Sequence, residues 1–479
     1  MEHVVIWLYI VVLATLAVYG VHRSQLVYLF LKTRKRHAVP HSRFKEAPRV
    51  TVQLPMFNER YVADRLIASC GDLDWPKDRL EIQVLDDSTD DTTVIAALAV
   101  EKLRAQGIDA TYIHRTDRTG FKAGALENGL RTAKGDYVAV FDADFIPPPR
   151  ILHDTIDHFT DPKVGMVQAR WGHINREYST LTRVQSMMLD GHFVIEHAAR
   201  NRSGRFFNFN GTAGIWRISA IVDAGGWAHD TLTEDMDLSY RAQLRGWKFV
   251  YLPNIVAPAE IPVEMNSFKS QQFRWAKGSI QTARKLLPQI LRSKVPLKVK
   301  MEAFFHLTNN FAYVLLCMLA LLLLPNLLLR TEHGIREVLL IDLPLFFGTT
   351  LSIGSFYLVS HRQLYGETGS ALRRLPLLMS LGIGLSVNNA RAVLEGMFGH
   401  DSEFVRTPKH GVSENGDWKK KNYRAARTLV PLVEFAFAAY FVAAIVVAGI
   451  GGHWLSIPFL ALFLVGYLYV ATMSVHQTR

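Results

Sequence analysis

Two aspartates separated by one residue follow a short apolar run in the segment FDADF. Asp142 and Asp144 come directly after the run at 137–141, whose composition is typical of a strand. Side chains two positions apart share one face of an extended segment, so a turn after the strand can aim both carboxylates at one hard cation such as Mg2+ or Mn2+. A solvated acidic turn is the commoner explanation of an isolated D-x-D, so this pair needs support from other motifs.

A second acidic segment, LDDSTDDT, follows the apolar run at 81–85. Its first two carboxylates, Asp86 and Asp87, can bind a ribose or a base at the end of a strand in an open α/β sheet. Asp, Ser and Thr also form turns by hydrogen bonding to their own backbone, which is the alternative for this segment.

One lysine stands between two glycines in the segment RTGFKAGAL. Lys122 is a cation on a loop where Gly120 and Gly124 allow the backbone to approach a diphosphate. A surface lysine on a loop that enters a helix explains the segment equally well.

The segment TEDMDL places two carboxylates at a predicted helix start. Thr233 can cap that helix, and Glu234 and Asp235 then lie in its first turn, where negative charge is favourable. The functional alternative is a general base, because a single carboxylate can take the proton of a sugar hydroxyl as it attacks.

The segments QQFRW and FVRTPK combine cations with an aromatic or polar side chain. In the first, Arg274 can compensate charge on a leaving diphosphate while Trp275 stacks on a sugar ring. The alternative is an amphipathic helix at a membrane surface, and both can hold at once. In the second, Thr407 and Lys409 can cover a nucleotide, against the alternative of plain basic charge beside a membrane.

Short β-rich runs alternate with helical stretches between Arg49 and Pro253. This alternation is the pattern of an α/β domain, in which ligands bind beyond the carboxyl ends of the strands. The predicted strands lie at 50–54, 81–85, 110–114, 137–141, 164–168 and 248–252.

Long uncharged runs at both ends of the chain predict membrane-spanning helices. The chain has 479 residues, 49% hydrophobic and 20% charged, which is too hydrophobic for a disordered protein and slightly hydrophobic for a wholly soluble one. An anchor is predicted at 4–21, and further crossings lie at 303–329, 338–360, 428–450 and 454–475. The shorter run at 375–387 favours an interfacial or re-entrant helix.

Five crossings place the basic segments on one side of the membrane, at 22–49, 284–300 and 405–427. The positive-inside rule then puts residues 22–300 in the cytosol, beneath a plasma or Golgi-type membrane. Charge facing lipid headgroups explains much of the net charge of +11, so we expect membrane lipids and no nucleic acid as partners. Cys70 and Cys317 lie far apart in segments of different character, so no disulfide framework is expected.

The ordered motifs together resemble the family 2 glycosyltransferases. They are LDDSTDDT, FKAGAL, FDADF, FNFNGTAGIWR, TEDMDLSYR and QQFRW. The resemblance covers about residues 47–290 continuously, and FVRTPK extends it into the membrane part. It is greatest to the cellulose-synthase-like A and C branch, the synthases of mannan, glucomannan and glucan backbones.

The resemblance implies a Rossmann-like α/β domain of the GT-A type, located in the cytosol and inserted in an α-helical transmembrane region. The expected parts are an anchor with its basic segment at 1–46, the glycosyltransferase domain at 47–262, interfacial helices with QQFRW at 263–302, and a transmembrane region at 303–479. The last part would include an interfacial helix at 375–397 and a gating loop at 398–423.

The resemblance also implies roles for the motif residues. Asp235 would be the catalytic base with Glu234 beside it, and Asp142 and Asp144 would bind Mg2+ or Mn2+. The implied contacts to the nucleotide sugar are Asp86, Asp87, Lys122, Asp142, Gln271, Arg274, Thr407 and Lys409. The implied acceptor contacts are Thr233, Asn210, Gly211, Thr212 and Trp275, which would stack on the acceptor sugar.

Two features depart from the family pattern. Arg406 replaces the valine that is usual in the gating loop F-x-V-T-x-K, which affects how the loop closes. The chain continues only a few residues beyond the last predicted helix, so we expect no cyclic-dinucleotide regulatory domain.

The implied activity is an inverting, metal-dependent, processive transfer of hexose from UDP-glucose or GDP-mannose to a growing β-linked polysaccharide, coupled to its translocation. The alternative is non-processive transfer of one sugar to a lipid acceptor, of the polyprenyl phosphate or ceramide type. Glu434, a charge inside the fourth crossing, either lines the path or reaches the nearby cytosolic surface.

Overall fold

A seven-stranded sheet organises the middle of the chain. The computed structural model describes residues 2–329, 343–400, 406–412, 418, 421 and 428–477. The strands are β1 (Val50–Met56), β2 (Leu80–Asp86), β3 (Asp109–His114), β4 (Tyr137–Val140), β5 (Val164–His173), β6 (Gly214–Arg217) and β7 (Lys248–Ala259).

The sheet is mixed, with the strand order β3-β2-β1-β4-β6-β5-β7. Parallel pairs join β1 to β2 and β4, β2 to β3, and β5 to β7, whereas β6 runs antiparallel to β4 and β5. All the predicted strands are confirmed. The strand β6 is absent from the predicted set, because its residues GIWR are too few to show alternation and lie inside a longer motif.

Helices cover both faces of the sheet, so the strands of its centre are buried on both sides. Along β4, Val138 and Val140 pack in one core cluster while Tyr137 and Ala139 pack in the other, as the period of two requires. The helices that precede β7 in the chain are α1 (Glu2–Thr33), α2 (Ala63–Gly71), α3 (Thr92–Ala105), α4 (Phe121–Leu130), α5 (Ile151–Thr155), α6 (Thr180–Asp190), α7 (Ala198–Arg202), α8 (Ile218–Asp223) and α9 (Glu234–Leu244). A π-helical turn, Gly191–His197, joins α6 to α7.

A long amphipathic helix connects the α/β domain to the apolar helices. This helix, α10 (Met265–Arg292), carries the QQFRW segment. Glu264 caps its start, since the Glu264 side chain accepts a hydrogen bond from the Ser267 amide at 3.0 Å. The chain continues into α11 (Leu297–Thr308) and α12 (Ala312–Leu329).

The remaining described helices are α13 (Leu343–Tyr365), α14 (Gly369–Gly384), α15 (Ser386–Phe398), α16 (Val430–Ile450) and α17 (Ile457–His476). Among the described residues, the helices long and apolar enough to cross a membrane are His3–Thr33, Leu297–Leu329, Val430–Ile450 and Trp454–His476. These spans correspond to four of the predicted crossings and indicate a membrane protein.

The predicted crossing at 338–360 differs from the other four. Its first residues fall outside the described ranges, and its described part forms α13, which packs along α1 but is not among the spanning helices. The short apolar run at 375–387 lies within α14 and α15, which meet at a bend of 43° and form either a broken span or a re-entrant loop. The described helices therefore give four spans, or five if the bent pair is one.

Glu434, which lies in the candidate span Val430–Ile450, forms an ion pair with the connecting helix α10. Its Oε1 lies 2.7 Å from Nζ of Lys269 on α10, and both side chains are buried. Glu434 is therefore buried in a contact between two helices and is not exposed at a surface, contrary to the second alternative. The pair joins α16 to the helix that carries QQFRW.

Candidate active site

A cleft opens where β1, β2 and β4 end, at the edge where α/β sheets bind ligands. We call it the front cavity, and its volume is about 180 Å³. The predicted site residues that line it are Asp87, Lys122, Asp142, Asp144, Asn210, Gly211, Thr233, Glu234, Asp235, Gln271, Arg274, Trp275, Thr407 and Lys409. The fold thus brings together residues that are far apart in the sequence.

Backbone strain is concentrated around the front cavity. Among the described residues, the non-glycine residues with a left-handed backbone are Asn58 (φ 54°), Phe121 (φ 48°) and Ala213 (φ 54°). Asn58 follows β1, Phe121 precedes Lys122, and Ala213 follows Thr212. Such conformations cost about 1–3 kcal/mol each and persist where the surrounding structure fixes them, as it does at ligand sites.

Each aspartate of the D-x-D motif is paired with its own lysine. Lys122 Nζ donates to Asp142 Oδ1 at 2.5 Å and to the Gly211 carbonyl at 2.8 Å. Lys409 Nζ donates to Asp144 Oδ2 at 2.6 Å. Burial acts to lower the pKa of Lys122, but the nearby carboxylates, Asp142 first, raise it by more, so this lysine is a cation.

The two aspartates of LDDS have different surroundings. Asp87 lines the front cavity and accepts hydrogen bonds from Arg115 Nε at 2.8 Å and from a second Arg115 nitrogen at 2.5 Å. Asp86 is fully buried and accepts from the Tyr112 hydroxyl at 2.7 Å and the Ser88 amide at 3.0 Å. The structure therefore brings Asp87 to the cleft and places Asp86 behind it, where it holds the turn.

The two carboxylates of the TED motif lie in the first turn of α9. Burial raises the pKa of Asp235 to about 8, and the neighbouring Glu234 carboxylate adds to this rise. Burial also raises the pKa of Glu234. A carboxyl group with a raised pKa in a cleft is suited to exchange a proton near neutral pH.

Thr233 occupies the N-cap position of α9 without capping it. Its side chain makes no capping hydrogen bond, and its hydroxyl instead lies 3.2 Å from that of Thr282 on α10. Gly278 permits this approach, because a Cβ there would lie 2.5 Å from Thr233 Cγ2. The capping interpretation of Thr233 is therefore wrong, and the residue joins the start of α9 to α10.

The QQFRW segment lies along the front cavity on α10. Gln271, Arg274 and Trp275 all line it, and an Arg274 terminal nitrogen donates to Thr407 Oγ1 at 2.8 Å. Burial lowers the pKa of Arg274, and the facing carboxylates, Glu234 first, oppose that shift. Arg274 thus faces the same acidic groups as Lys122.

Residues 406–412 of the predicted gating loop cover the cavity, whereas the first two residues of FVRTPK lie outside the described residues. Arg406, the departure from the family pattern, donates to the Asn58 carbonyl, and its guanidinium lies 3.6 Å from Glu59 Oε2. The arginine therefore ties the loop to the turn after β1.

A second anchor holds the other half of this loop. The Glu260 carboxylate, directly after β7, accepts hydrogen bonds from the backbone amides of His410 at 3.0 Å and Val412 at 3.2 Å. Gly411 has φ 60° and packs closely against the Tyr61 backbone. These contacts place Thr407 and Lys409 over the carboxylates of the cleft.

The segment FNFNGT forms the wall between this cleft and a second cavity. Asn210 lines both, and Gly211 lines the front cavity with its carbonyl bound to Lys122. Thr212 is buried, and its hydroxyl accepts from the Asp142 amide at 2.9 Å. Asn210 and Gly211 therefore reach the cavity, whereas Thr212 supports the D-x-D turn from behind.

The second cavity, which we call the rear cavity, has a volume of about 250 Å³. The residues it shares with the front cavity are Trp171, Leu189, Asn210, Thr233, Asp235, Gln271 and Trp275. Aromatic and amide side chains form much of the remaining wall, including Phe193, Phe268, Tyr313, Tyr357, Gln185, Gln272 and Asn310. Flat apolar rings beside hydrogen-bonding amides suit a sugar, which offers both C–H faces and hydroxyl groups.

A third cavity, the membrane cavity, continues from the rear cavity and also has a volume of about 250 Å³. The two share Arg23, Met188, Asn309, Tyr313 and Tyr357. The rest of its lining is mainly aliphatic and comes from α1, α12, α13, α14 and α17. Glu434 lines none of the three cavities described here.

Four charged residues of the front cavity are absent from the predicted site: Glu59, Arg118, Glu260 and Arg406, of which the sequence analysis names only Arg406, as a departure from the family pattern. Burial raises the pKa of Glu59 to about 8, and the Arg118 guanidinium lies 3.3 Å from the centroid of the Phe57 ring. Glu59 and Glu260 each follow the carboxyl end of a strand, which is the signal that could have found them.

The chain is similar to known glycosyltransferases. The model described as Glycosyl transferase family 2 matches residues 51–221, and the model described as Glycosyl transferase family group 2 matches residues 137–329. Glucomannan 4-beta-mannosyltransferase 7 of Arabidopsis thaliana is 39% identical, over 70% of this chain and 62% of its own length. Glucomannan 4-beta-mannosyltransferase 2 of the same plant is 37% identical, over 82% of this chain and 74% of its own length.

A further relative, probable glucomannan 4-beta-mannosyltransferase 9 of Oryza sativa subsp. japonica, is 36% identical over 90% of this chain and 83% of its own length. Among solved structures, mannosyltransferase PcManGT from Pyrobaculum calidifontis, in complex with GDP-Man and Mn2+, matches with a TM-score of 0.56 and 20% identity, covering 75% of this chain and 99% of that chain. This likeness shows that the α/β domain has the GT-A-like fold expected. The chain therefore belongs to glycosyltransferase family 2, with relatives in its cellulose-synthase-like branch.

Proposed function

We propose that this protein is a β-glycan synthase that transfers hexose from a nucleotide sugar in the front cavity to a glycan in the rear cavity. The observation that carries the proposal is the position of Asp235, which lines both cavities. The charged D-x-D cluster lies on one side of it, and the aromatic wall lies on the other. A base at this junction stands between the donor and the acceptor.

In the proposed reaction Asp235 takes the proton of an acceptor hydroxyl. The hydroxyl oxygen forms a bond to the anomeric carbon, and the bond from that carbon to the diphosphate oxygen breaks, leaving its electron pair on the diphosphate. The acceptor arrives from the rear cavity while the leaving group stays in the front cavity. Attack therefore comes from the face opposite the diphosphate, and the configuration inverts.

The leaving diphosphate gains negative charge, and the front cavity offers cations to it. Lys122, Arg274 and Lys409 line the cavity and are already directed at acidic groups or at Thr407. Fixed cations placed where charge develops lower the barrier without reorganising. Asp87 would bind the nucleoside, and Gln271 would add a polar contact from α10.

Asp142 and Asp144 would hold a divalent cation, Mg2+ or Mn2+. Two oxygen donors from one short turn fit such a hard ion. Among the described residues, no group of three or more His, Cys, Asp or Glu side chains is placed to hold a metal, so phosphate oxygens of the donor and water would supply the other ligands. When bound, the cation supplies positive charge to the diphosphate.

We propose mannose as the sugar transferred, because the relatives at 36–39% identity are named glucomannan 4-beta-mannosyltransferases. GDP-mannose is then the first donor to offer, and UDP-glucose is the second. The acceptor would be the growing glycan, whose terminal sugar stacks on Trp275 beside Thr233, Asn210 and Gly211.

The continuous series of cavities supports export of the product. A glycan leaving the rear cavity would meet the membrane cavity between α1, α12 and α17. The proposed orientation places the α/β domain in the cytosol, on the side of the basic segments, in a plasma or Golgi-type membrane. Protease accessibility of that domain in sealed vesicles tests the orientation.

One observation favours a second candidate function, the transfer of a single sugar to a lipid. The membrane cavity is lined mainly by aliphatic side chains such as Leu16, Leu316 and Leu462. A lipid chain fits such a lining without leaving hydroxyl groups unpaired, as a glycan would. A polyprenyl phosphate or ceramide could thus be the acceptor.

Product analysis separates the two candidates. The purified protein, with Mn2+ or Mg2+, is offered GDP-mannose and UDP-glucose in separate reactions, and the products are analysed for size and linkage. A β-linked polymer supports the synthase, whereas a single glycosylated lipid supports the second candidate. Turnover of neither donor would contradict both.

A further inference from the structure

The π-helical turn Gly191–His197 carries a histidine and a glutamate into the wall of the rear cavity. His192 and Glu196 both line the rear cavity, and neither lines the front cavity. π-Helical turns are rare and occur mostly at functional sites. The pair therefore lies on the acceptor side of Asp235, away from the charges that face the donor.

The hydrogen bond between the two side chains has a defined direction. His192 Nδ1 lies 2.9 Å from Glu196 Oε2. Burial acts to raise the pKa of Glu196, but Arg200 and His192 outweigh it and hold the pKa well below its usual range, so the carboxylate is ionised. An ionised carboxylate only accepts, so Nδ1 donates to Glu196, and Nε2 is the ring nitrogen left to face a ligand. Within the described chain Nε2 has no hydrogen-bond partner, and the side chain is 32% exposed.

A buried ion-pair network fixes this pair in place. An Arg200 terminal nitrogen lies 3.3 Å from Glu196 Oε2, and Arg200 Nε donates to Glu302 Oε1 at 2.9 Å. The His192 ring meets the His197 ring edge-on, with centroids 4.4 Å apart. Such constraints allow a side chain to select one ligand geometry.

His197 lies between the pair of His192 and Glu196 and the place where the front and rear cavities meet. Its Nε2 lies 3.0 Å from Oδ1 of Asn210, which lines both cavities beside Asp235 and Trp275. A terminal sugar stacked on Trp275 would occupy the junction. The next sugar of the same glycan would then face the wall formed by the π-helical turn.

We propose that His192 Nε2 forms a hydrogen bond with a hydroxyl group of the second sugar of the acceptor glycan, counted from the growing end. Glu196 is a positioning residue, because its contact with Nδ1 fixes the orientation of the His192 ring. This inference rests on the proposed function, since it requires a glycan in the rear cavity. It makes His192 a determinant of which glycans are extended.

The test compares acceptors of one and two sugars. His192→Phe keeps an aromatic ring but removes both nitrogens, so KM for a disaccharide acceptor should rise about tenfold, the effect of one hydrogen bond. KM for the monosaccharide acceptor and KM for the donor should stay unchanged. His192→Gln can still form a hydrogen bond with a hydroxyl group and should recover part of the loss, and Glu196→Gln should give an intermediate loss.

A matched control is His361→Gln, which removes another histidine–glutamate pair. His361 Nε2 lies 2.8 Å from Glu367 Oε1, and His361 lines none of the three cavities. This variant should behave as wild type with both acceptors. Equal changes with one and two sugars, or no change in His192→Phe, would overturn the inference while the synthase proposal stands. A wild-type enzyme that extends no glycan would instead remove the proposed function, and this inference with it.

Discussion

The front and rear cavities meet at Asp235, but their walls are built from different chemistry. The front cavity contains paired charges, with Lys122 on Asp142 and Lys409 on Asp144. The rear cavity is lined largely by aromatic rings and amides, and its charged residues are Asp235, which it shares with the front cavity, Arg23, and the buried pair of Arg200 and Glu196. The first wall suits a multivalent anion and its counterion, and the second suits a neutral sugar chain.

The two walls would hold their ligands in different ways, the charged wall in one fixed position and the aromatic wall with more freedom to move. Charged groups at fixed distances hold a ligand in one position, because a small displacement costs electrostatic energy at short range. Stacking on flat rings depends less on register, so a chain held that way can advance by one sugar at modest cost. The contrast predicts that changes in the front cavity alter donor use, that changes in the rear cavity alter acceptor use, and that a change at Asp235 stops transfer.

The largest effect is expected from Asp235→Asn. The amide keeps the size of the side chain but cannot take a proton, so the transfer rate should fall by about 10²–10⁴-fold, the usual contribution of a general base. Nucleotide affinity, measured by calorimetry, should stay within about twofold, because the variant leaves the ion pairs of Lys122 with Asp142 and of Lys409 with Asp144 in place. An equal loss of nucleotide binding would contradict its role as the base.

Lys409→Ala tests the charged wall. Its ammonium group lies 2.6 Å from Asp144 Oδ2 and lines the front cavity, where it would also bind the diphosphate of the nucleotide sugar. Its removal should therefore raise KM for the nucleotide sugar by about tenfold to a hundredfold, as expected for one charge-assisted hydrogen bond. The measurement is donor KM at saturating acceptor. Lys134→Ala is the matched control, because Lys134 pairs with Asp109 at 2.8 Å far from the cavity and should leave donor KM unchanged. A rise in acceptor KM alone would break the comparison.

Trp275→Ala tests the aromatic wall. Loss of the indole should raise acceptor KM by about tenfold, the scale of one stacking contact with its buried area. Donor KM should change little, although Trp275 also borders the front cavity. Trp454→Ala removes an exposed tryptophan that lines no described cavity, so it should leave both values unchanged. A larger effect on the donor than on the acceptor would exclude a stacking platform for the glycan.

The strands and the order of the motifs could be predicted from the sequence, because both are local patterns. The runs that became β1 to β5 and β7 show β-rich composition, Asp87 directly follows β2, and Asp142 lies two residues after the end of β4. The sequence pattern could not show that Asp87 lines the cleft whereas Asp86 is buried behind it. Successive side chains of a strand point to opposite sides, and which side faces the cleft depends on the neighbouring elements.

The rear cavity could not be predicted, because its wall is assembled from separate parts of the chain. His192 comes from the π-helical turn, Gln272 from α10, Asn310 from the link before α12, and Phe356 from α13. No sequence spacing relates these residues, and a π-helical turn has no clear sequence signal. The ion pair of Glu434 could not be predicted for the same reason, because its partner Lys269 lies on a helix far away in the sequence.

The pH dependence of transfer tests the electrostatics at the junction. Because the pKa of Asp235 is raised to about 8, the group is neutral at lower pH, and kcat/KM should increase with pH up to about that value. Glu234→Gln removes the neighbouring carboxylate that helps to raise the pKa of Asp235, so the rise of kcat/KM with pH should occur at lower pH. A profile that is flat between pH 6 and about 8 would show that Asp235 is not the group that titrates.

The smallest effect is expected from Glu260→Gln, which tests whether the loop over the front cavity depends on its anchor. Glu260 accepts from the backbone amides of His410 and Val412, and a glutamine keeps one accepting oxygen while its amide group cannot accept from the second donor. The loss of one such bond should weaken nucleotide binding by about threefold to tenfold, because Thr407 and Lys409 are held less firmly over the carboxylates. Acceptor KM should stay the same, since no residue of the loop lines the rear cavity in the described structure.

Glu127→Gln is the matched control for Glu260→Gln. Glu127 accepts a hydrogen bond from the Trp227 amide at 3.0 Å and lines neither cavity, so nucleotide affinity should not change. If Glu260→Gln changed acceptor KM instead, the loop would act on both cavities, and the division between a charged donor wall and an aromatic acceptor wall would have to be redrawn.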